Sequence, residues 1–174
     1  MKRERGFNII EMVVVIAIVG LLLTIGVPSF QTWTQNLQIR AGAEGVLAGY
    51  NIAKNEAVRR NVNIEMTINN NTGWDVHTAA DPATSLRARD ANEGSVNVTS
   101  VITPTGSTTV TFNGMGRVAS VNSDGTPPVT QVDFDNPMIT NVTDRRKLRV
   151  VIATGGGIRL CDPQVASTDN RACP

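Results

Sequence analysis

An apolar stretch near the N-terminus, broken by a single acid, constrains this chain more than any other feature. From Phe7 to Ile39 the only charged residue is Glu11. Met12 to Val27 is almost wholly apolar. With Phe7, Ile9 and Ile10 it is long enough, as a helix rising about 1.5 Å per residue, to cross about 30 Å of hydrocarbon. The six residues ahead of it, Met1-Lys-Arg-Glu-Arg-Gly6, are short and basic. That charge keeps their end in the cytoplasm and sends the rest of the chain across. An ordinary secretory signal has a shorter apolar core followed by a small-x-small cleavage site. Here Ala17 and Gly20 lead into more apolar sequence, so that reading fits poorly. A carboxylate inside an apolar helix is costly unless it is paired or neutralised, which makes Glu11 a candidate functional residue.

Arg5-Gly6-Phe7-Asn8-Ile9-Ile10-Glu11 resembles the type IV prepilin signature. The resemblance implies that a prepilin peptidase cuts after Gly6 and methylates the new N-terminus on Phe7. Glu11 then becomes the fifth residue of the mature chain, where the N-terminal ammonium of a neighbouring copy can meet it. Usual members have Thr or Ser at the position of Asn8 and Leu at that of Ile10. Pro28 falls where pilins usually carry a helix-kinking proline, and its missing N–H should kink or locally open the helix, with Gly26 assisting.

Beyond Pro28 the pattern becomes amphipathic. Ile39, Ala43, Val46, Leu47, Tyr50, Ala53 and Ala57 recur at helical spacing, with Arg40, Glu44, Asn51 and Lys54 mostly on other faces. The spacing predicts one helix from about Asn8 to Arg60 whose second half packs on a head. Strands are predicted over 62–68, from 74, and over 95–101, 108–112, 129–134, 148–153 and 158–161, by alternation and β-branched content. Asn69–Gly73 is turn chemistry, and Gly155–Gly157 suits a tight hairpin. Residues 78–94 read as a loop. With aromatics at 4% of the chain, the core must be aliphatic.

Asn55–Arg60, Gly73–Val76, Thr111–Arg117 and Gly156–Pro163 resemble the GspH/FimT family. That family comprises minor pilins of type IV pili and minor pseudopilins of type II secretion. The implied fold is α+β, a long N-terminal helix with an antiparallel sheet head. The expected division is a leader over 1–6, a membrane and filament helix over 7–34, and a periplasmic head over 35–174.

Cys161 and Cys173 are the only cysteines, and His77 is the only histidine, so a Cys/His zinc site lacks ligands. In an oxidising compartment the two cysteines would form a local disulfide; in the cytosol they would be free thiols. No cofactor or metal is expected. His77, without a nearby nucleophile motif, reads as a solvated strand-end residue. Asn122-Ser-Asp-Gly125 lacks the glycine offset and closing Glu of a calcium loop and reads as a hairpin turn. Gly155–Gly157 has no Lys-Ser/Thr to make a phosphate cradle. None of this is an enzyme.

Charge is uneven along the chain. Residues 61–144 carry three Lys/Arg against nine Asp/Glu, and 145–174 carry six against two. Arg145, Arg146, Lys147, Arg149, Arg159 and Arg171 could form a patch for phosphates. In DNA-uptake members of the family a Gly-Arg-x-Arg motif before the first cysteine carries DNA binding. The matching tetrapeptide here is Gly156-Gly157-Ile158-Arg159, and only Arg159 carries over. Charged strand edges also prevent sheet-to-sheet aggregation.

The expected function is structural: a minor pilin that primes or caps pilus assembly, with DNA contact through the basic segment as a further possibility. Its partners would be other pilins, the prepilin peptidase, the inner membrane and DNA, with no small-molecule substrate. It would sit in the inner membrane with the head periplasmic, then in a surface or periplasmic filament. The alternatives are a type II secretion pseudopilin and an anchored periplasmic domain with no filament role.

Overall fold

The computed structural model describes residues 8–91 and 93–174, apart from the side chain of Ile25. Gly6 and Phe7 lie outside the described residues. One helix, α1 (Ile9–Arg60), is followed by eight strands: β1 (Ile64–Asn69), β2 (Gly73–Thr78), β3 (Asp81–Arg89), β4 (Thr99–Thr103), β5 (Thr109–Phe112), β6 (Gln131–Asp135), β7 (Leu148–Ile152) and β8 (Ile158–Cys161). The chain divides into two compact units, the first ending at Thr34 and the second running Gln35–Pro174.

Asn8 starts α1 as an N-cap: its side-chain oxygen accepts from the Ile10 N–H at 3.4 Å and its carbonyl from the Met12 N–H at 3.2 Å. Asparagine caps as well as serine or threonine, so the departure from the usual signature keeps the same local chemistry. The helix continues through Pro28 rather than opening there. An interior proline forfeits one backbone hydrogen bond, about 3 kcal/mol, and the turns on both sides carry the interruption. The Thr32 hydroxyl donates to the Pro28 carbonyl at 3.2 Å.

In the second unit the strands form two four-stranded sheets, ordered β3-β2-β1-β5 and β4-β6-β7-β8, and every pairing in them is antiparallel. Ile39, Ala43, Val46, Tyr50, Ala53 and Ala57 of α1 are buried in one cluster with Ile64, Met66, Val76, Val110 and Phe112 of the first sheet. Val132, Phe134, Val150 and Ile152 of the second sheet join the same cluster. Each large side chain so buried contributes roughly 1.5–3 kcal/mol, and the aliphatic stripe read from the sequence supplies the helix side of it.

Close approach is made possible by glycine. A Cβ on Gly42 would stand 2.9 Å from Thr72, and one on Gly49 would stand 2.8 Å from both Met66 and the Trp74 ring. The Trp74 indole N–H donates to the Gly45 carbonyl at 2.9 Å. At the other sheet, the Asn36 side-chain amide donates to the Asp144 carbonyl and its oxygen accepts from the Arg146 N–H, both at 2.8 Å. Lys54 donates to the Gly156 carbonyl at 2.7 Å.

Two sequence expectations are corrected here. Residues 81–89, read as loop, form β3, an exposed strand paired with β2 from Trp74↔Arg89 to Thr78↔Asp81. Tertiary pairing overrides its low strand propensity, and Arg89 pins the strand by donating to the Thr72 and Glu93 carbonyls. The strand expected from Ser95 begins only at Thr99. Ser95 is buried and hydrogen-bonded to the Thr72 hydroxyl at 2.8 Å and the Ala91 carbonyl at 3.1 Å, which holds the preceding turn instead.

Candidate functional site

Within the first unit, every residue described from Asn8 to Gln31 is exposed, on all sides of the helix. Among the described residues this is the one helix long and apolar enough to cross a membrane. Glu11 lies exposed in its first turn, where the helix dipole favours a negative charge. Among the described residues it forms no ion pair. A soluble helix does not present such a surface to water. The arrangement fits lipid or the apolar helices of other chains.

The second candidate is the basic C-terminal segment. The structure brings Arg145, Lys147 and Arg149 together, but beside acids. Lys147 Nζ lies 3.0 Å and Arg145 Nη1 3.2 Å from the Asp135 carboxylate, and Arg149 Nε lies 2.6 Å from that of Asp133. Burial pushes Asp135 up, but hydrogen bonds from Lys147 and the Asn136 N–H, with the charges of Lys147 and Arg145, hold it below the usual carboxylate range. Asp133, Asp135, Lys147 and Arg149 line a groove of about 480 Å³ together with Val101, Val142 and Gln164. Its charge is balanced rather than basic.

Arg159 and Arg171 serve the C-terminal loop instead. Arg159 donates to the carbonyls of Ala172 at 2.7 Å and Asn170 at 3.1 Å, next to the Cys161–Cys173 disulfide. Arg171 makes a two-pronged pair with Asp169, and its hydrogen bonds hold that carboxyl down to about 2. Of the six basic residues, only Arg146 has a side chain with no ion pair or hydrogen bond among the described residues. The sequence carried a signal for this pairing: Asp-x-Asp on β6 and Lys-x-Arg leading into β7 oppose each other at Asp133↔Arg149 in an antiparallel pair.

Gly155–Gly157 closes the β7–β8 hairpin, with Gly156 N–H donating to Ala153 and Ala153 N–H to Gly157, both at 2.8 Å. Gly156 has φ +82°, and a Cβ there would run into the carbonyl of Gly116. Gly157, at the motif position of the missing arginine, has only Ala153 at 3.8 Å nearby. Its lack of a side chain is not demanded by packing.

His77 is not a solvated strand end. It lies inside β2 at 7% exposure, with Nδ1 3.1 Å from Asp75 and Nε2 3.5 Å from Glu65. Glu65, 3% exposed, accepts from the Thr111 hydroxyl at 2.6 Å, the Ser123 N–H at 2.8 Å and the Ser123 hydroxyl at 2.7 Å. Burial raises its carboxyl, but those hydrogen bonds and the neighbouring His77 outweigh burial and hold it below its ordinary 4.5. Asn122 completes the cluster, accepting from Thr111 and donating to the Thr109 and Pro127 carbonyls. The Asn122–Gly125 turn thus docks onto the sheet. The Ser123 hydroxyl donates to Glu65 and the turn is tied down by that bond. The period-2 pattern marked Glu65 as a strand residue and left His77 at a strand end, but their cross-strand pairing at Glu65↔His77 was not visible without the register.

Residues 42–164 match the model of the family described as type II transport protein GspH. The chain belongs to the GspH family. Its fold is similar to that of the Pseudomonas aeruginosa type IV minor pilin FimU in two crystal forms. One has a TM-score of 0.52 at 20% identity and covers 74% of this chain and 97% of that one. The other has a TM-score of 0.55 at 19% identity and covers 78% and 97%. Fimbrial proteins of Pseudomonas aeruginosa are 38% identical over 48 residues, 28% of this chain. The match spans 31% of those relatives' length. The family is described as that of a type II transport protein, and the fold is that of a type IV minor pilin.

Proposed function

We propose that this GspH-family chain is a minor type IV pilin, processed after Gly6, held by a single pass of α1 in the inner membrane with its head in the periplasm, and then packed into a filament. One observation supports the reading above the others: the first half of α1 is exposed on all sides and apolar over a membrane's length but for Glu11, and the same chain carries a disulfide-closed head. Transfer of that helix from lipid to the apolar helices of other subunits conserves its burial, which suits reversible assembly. Glu11 would then be neutralised by the ammonium on Phe7 of an adjacent subunit. As a minor subunit it would prime or cap assembly.

Mass spectrometry of protein purified from cells tests the processing. The expected mature chain begins with N-methylated Phe7. A chain that keeps its first six residues would overturn the proposal and leave an anchored periplasmic domain.

A second reading has support in the description of the family model, a type II transport protein. In a pseudopilus the same helix and head would serve secretion. Deletion of the gene discriminates: loss of twitching supports the pilus, loss of exoprotein secretion the pseudopilus. DNA contact has weaker support, because five of the six basic residues are engaged within the head. A gel shift at low salt that weakened on Arg146→Ala would restore it.

A further inference from the structure

Phe30 and Trp33 stand apart from the rest of α1. They are the aromatic residues of its N-terminal unit among those described, one turn apart, with ring centroids 5.7 Å apart and planes tilted by 41°. Such a tilted pair is a favourable aromatic geometry. Both are exposed, Phe30 at 62% and Trp33 at 57%. They also sit where the apolar run ends: Val27 and Phe30 precede, and Gln31, Thr32, Thr34, Gln35 and Asn36 follow. An indole at the junction of an apolar and a polar segment has its energetic optimum at the headgroup level of a bilayer, where the ring is buried and the N–H stays wet.

Counting back from that level gives a second position. At about 1.5 Å per residue, the nineteen residues from Glu11 to Phe30 span about 29 Å, and the twenty-two to Trp33 about 33 Å. The hydrocarbon of a bilayer is about 30 Å thick. We infer that Phe30 and Trp33 are an interfacial anchor that fixes the depth of α1 in the membrane, and that this depth puts Glu11 at the opposite headgroup boundary rather than inside the hydrocarbon. The inference rests on the single-pass reading above. It changes where the acid becomes costly: the membrane-resident subunit keeps the Glu11 carboxylate wet, and a partner charge is required only once α1 enters a filament.

Depth-dependent quenching tests this with the full-length protein in vesicles of phosphatidylcholine and phosphatidylglycerol. The chain has two tryptophans, and Trp74 is buried in the head at 6% exposure, so Trp33→Phe supplies the background. Bromines near the top of the acyl chain are expected to quench Trp33 several-fold more than bromines near its end. Glu11→Cys, in a protein whose native cysteines are joined, is expected to react with an impermeant maleimide present on both sides at least tenfold faster than Val15→Cys. Vesicle flotation separates the two ways to fail. A chain that does not float sinks the single-pass reading and the inference with it. A chain that floats but shows equal, deeper or no Trp33 quenching, or Glu11→Cys as slow as Val15→Cys, overturns the inference and leaves the anchor standing.

Discussion

The two halves of α1 share a backbone conformation and differ in what their side chains meet. From Ile9 to Gln31 no described residue is buried, and Ile9 itself is 82% exposed. From Ile39 to Ala57 the apolar stripe is buried against two sheets, with only Leu47 partly exposed. Glycine makes the contrast sharp. Around Gly20 and Gly26 there is nothing within 4 Å of an added Cβ, whereas Gly42, Gly45 and Gly49 are each in contact with head side chains. On the function proposed above, the first half meets an interchangeable apolar surrounding, whereas the second has one fixed partner. Substitutions in the second half should therefore read out as head stability, and those in the first as association.

The largest effect should come from Gly156→Ala. Its φ of +82° disfavours any side chain, and the new methyl group would meet a backbone carbonyl that cannot swing aside. Urea unfolding of the detergent-solubilised chain should show a loss of about 4 kcal/mol, the sum of backbone strain and overpacking. Vesicle flotation should be unchanged. A head that tolerated this change would mean the hairpin is not docked on the Gly116 turn.

Next is Glu65. Truncation to Ala leaves the Ser123 N–H and the hydroxyls of Thr111 and Ser123 without their acceptor, which should cost about 3 kcal/mol at pH 7. The pH dependence follows from the direction of its shift. A carboxyl held below its ordinary 4.5 in the fold adds stability above that value and loses it as pH falls through the folded value. The native head should weaken as pH drops below about 4.5. Glu65→Gln should be less stable at pH 7 and show a shallower acid decline. An unchanged acid limb would remove Glu65 from the set of groups responsible.

The glycine contrast itself is the third test. Gly49→Ala should lose about 2 kcal/mol through overpacking against Met66 and the rigid Trp74 ring. Gly26→Ala should lose nothing, since alanine is the better helix former by about 1 kcal/mol. Equal effects at the two sites would erase the distinction between the halves.

What the sequence disclosed follows the same division. The long helix, its amphipathic second half, the antiparallel strands at 64–69, 109–112, 131–135, 148–152 and 158–161, and the α+β pilin fold were readable because period and turn chemistry are local signals. β3 was not readable: Asp81 to Arg89 has little strand propensity and is held by pairing with β2 and by Arg89 reaching the Thr72 carbonyl, neither of which its own pattern records. His77 and Glu65 were missed for the same reason, since each looks like an ordinary polar strand position until the register sets them opposite. In the basic segment the charges were counted correctly but the partners were not, because Asp133 and Asp135 lie on another strand. Local pattern therefore located the elements, and cross-strand register decided which of their charges are spent within the head.

Tyr50 offers the smallest and most pointed test. It is the one fully buried aromatic side chain on the helix face that meets the sheets, and its hydroxyl has no hydrogen-bond partner among the described residues. Burial drives its ionisation far above the ordinary value of 10, so the group stays neutral at every accessible pH and its cost is that of a buried, unpaired hydroxyl, about 1–3 kcal/mol. Tyr50→Phe keeps the ring and its packing and removes the orphaned oxygen. The expected outcome is a gain of about 1 kcal/mol, smaller than the full penalty because the vacated space is lost to contact on all sides. A loss on removing the hydroxyl, read by the same urea unfolding, would mean that Tyr50 finds a hydrogen-bond partner within the folded head in solution. The fixed face of the helix would then share the adaptability assigned above only to its exposed half.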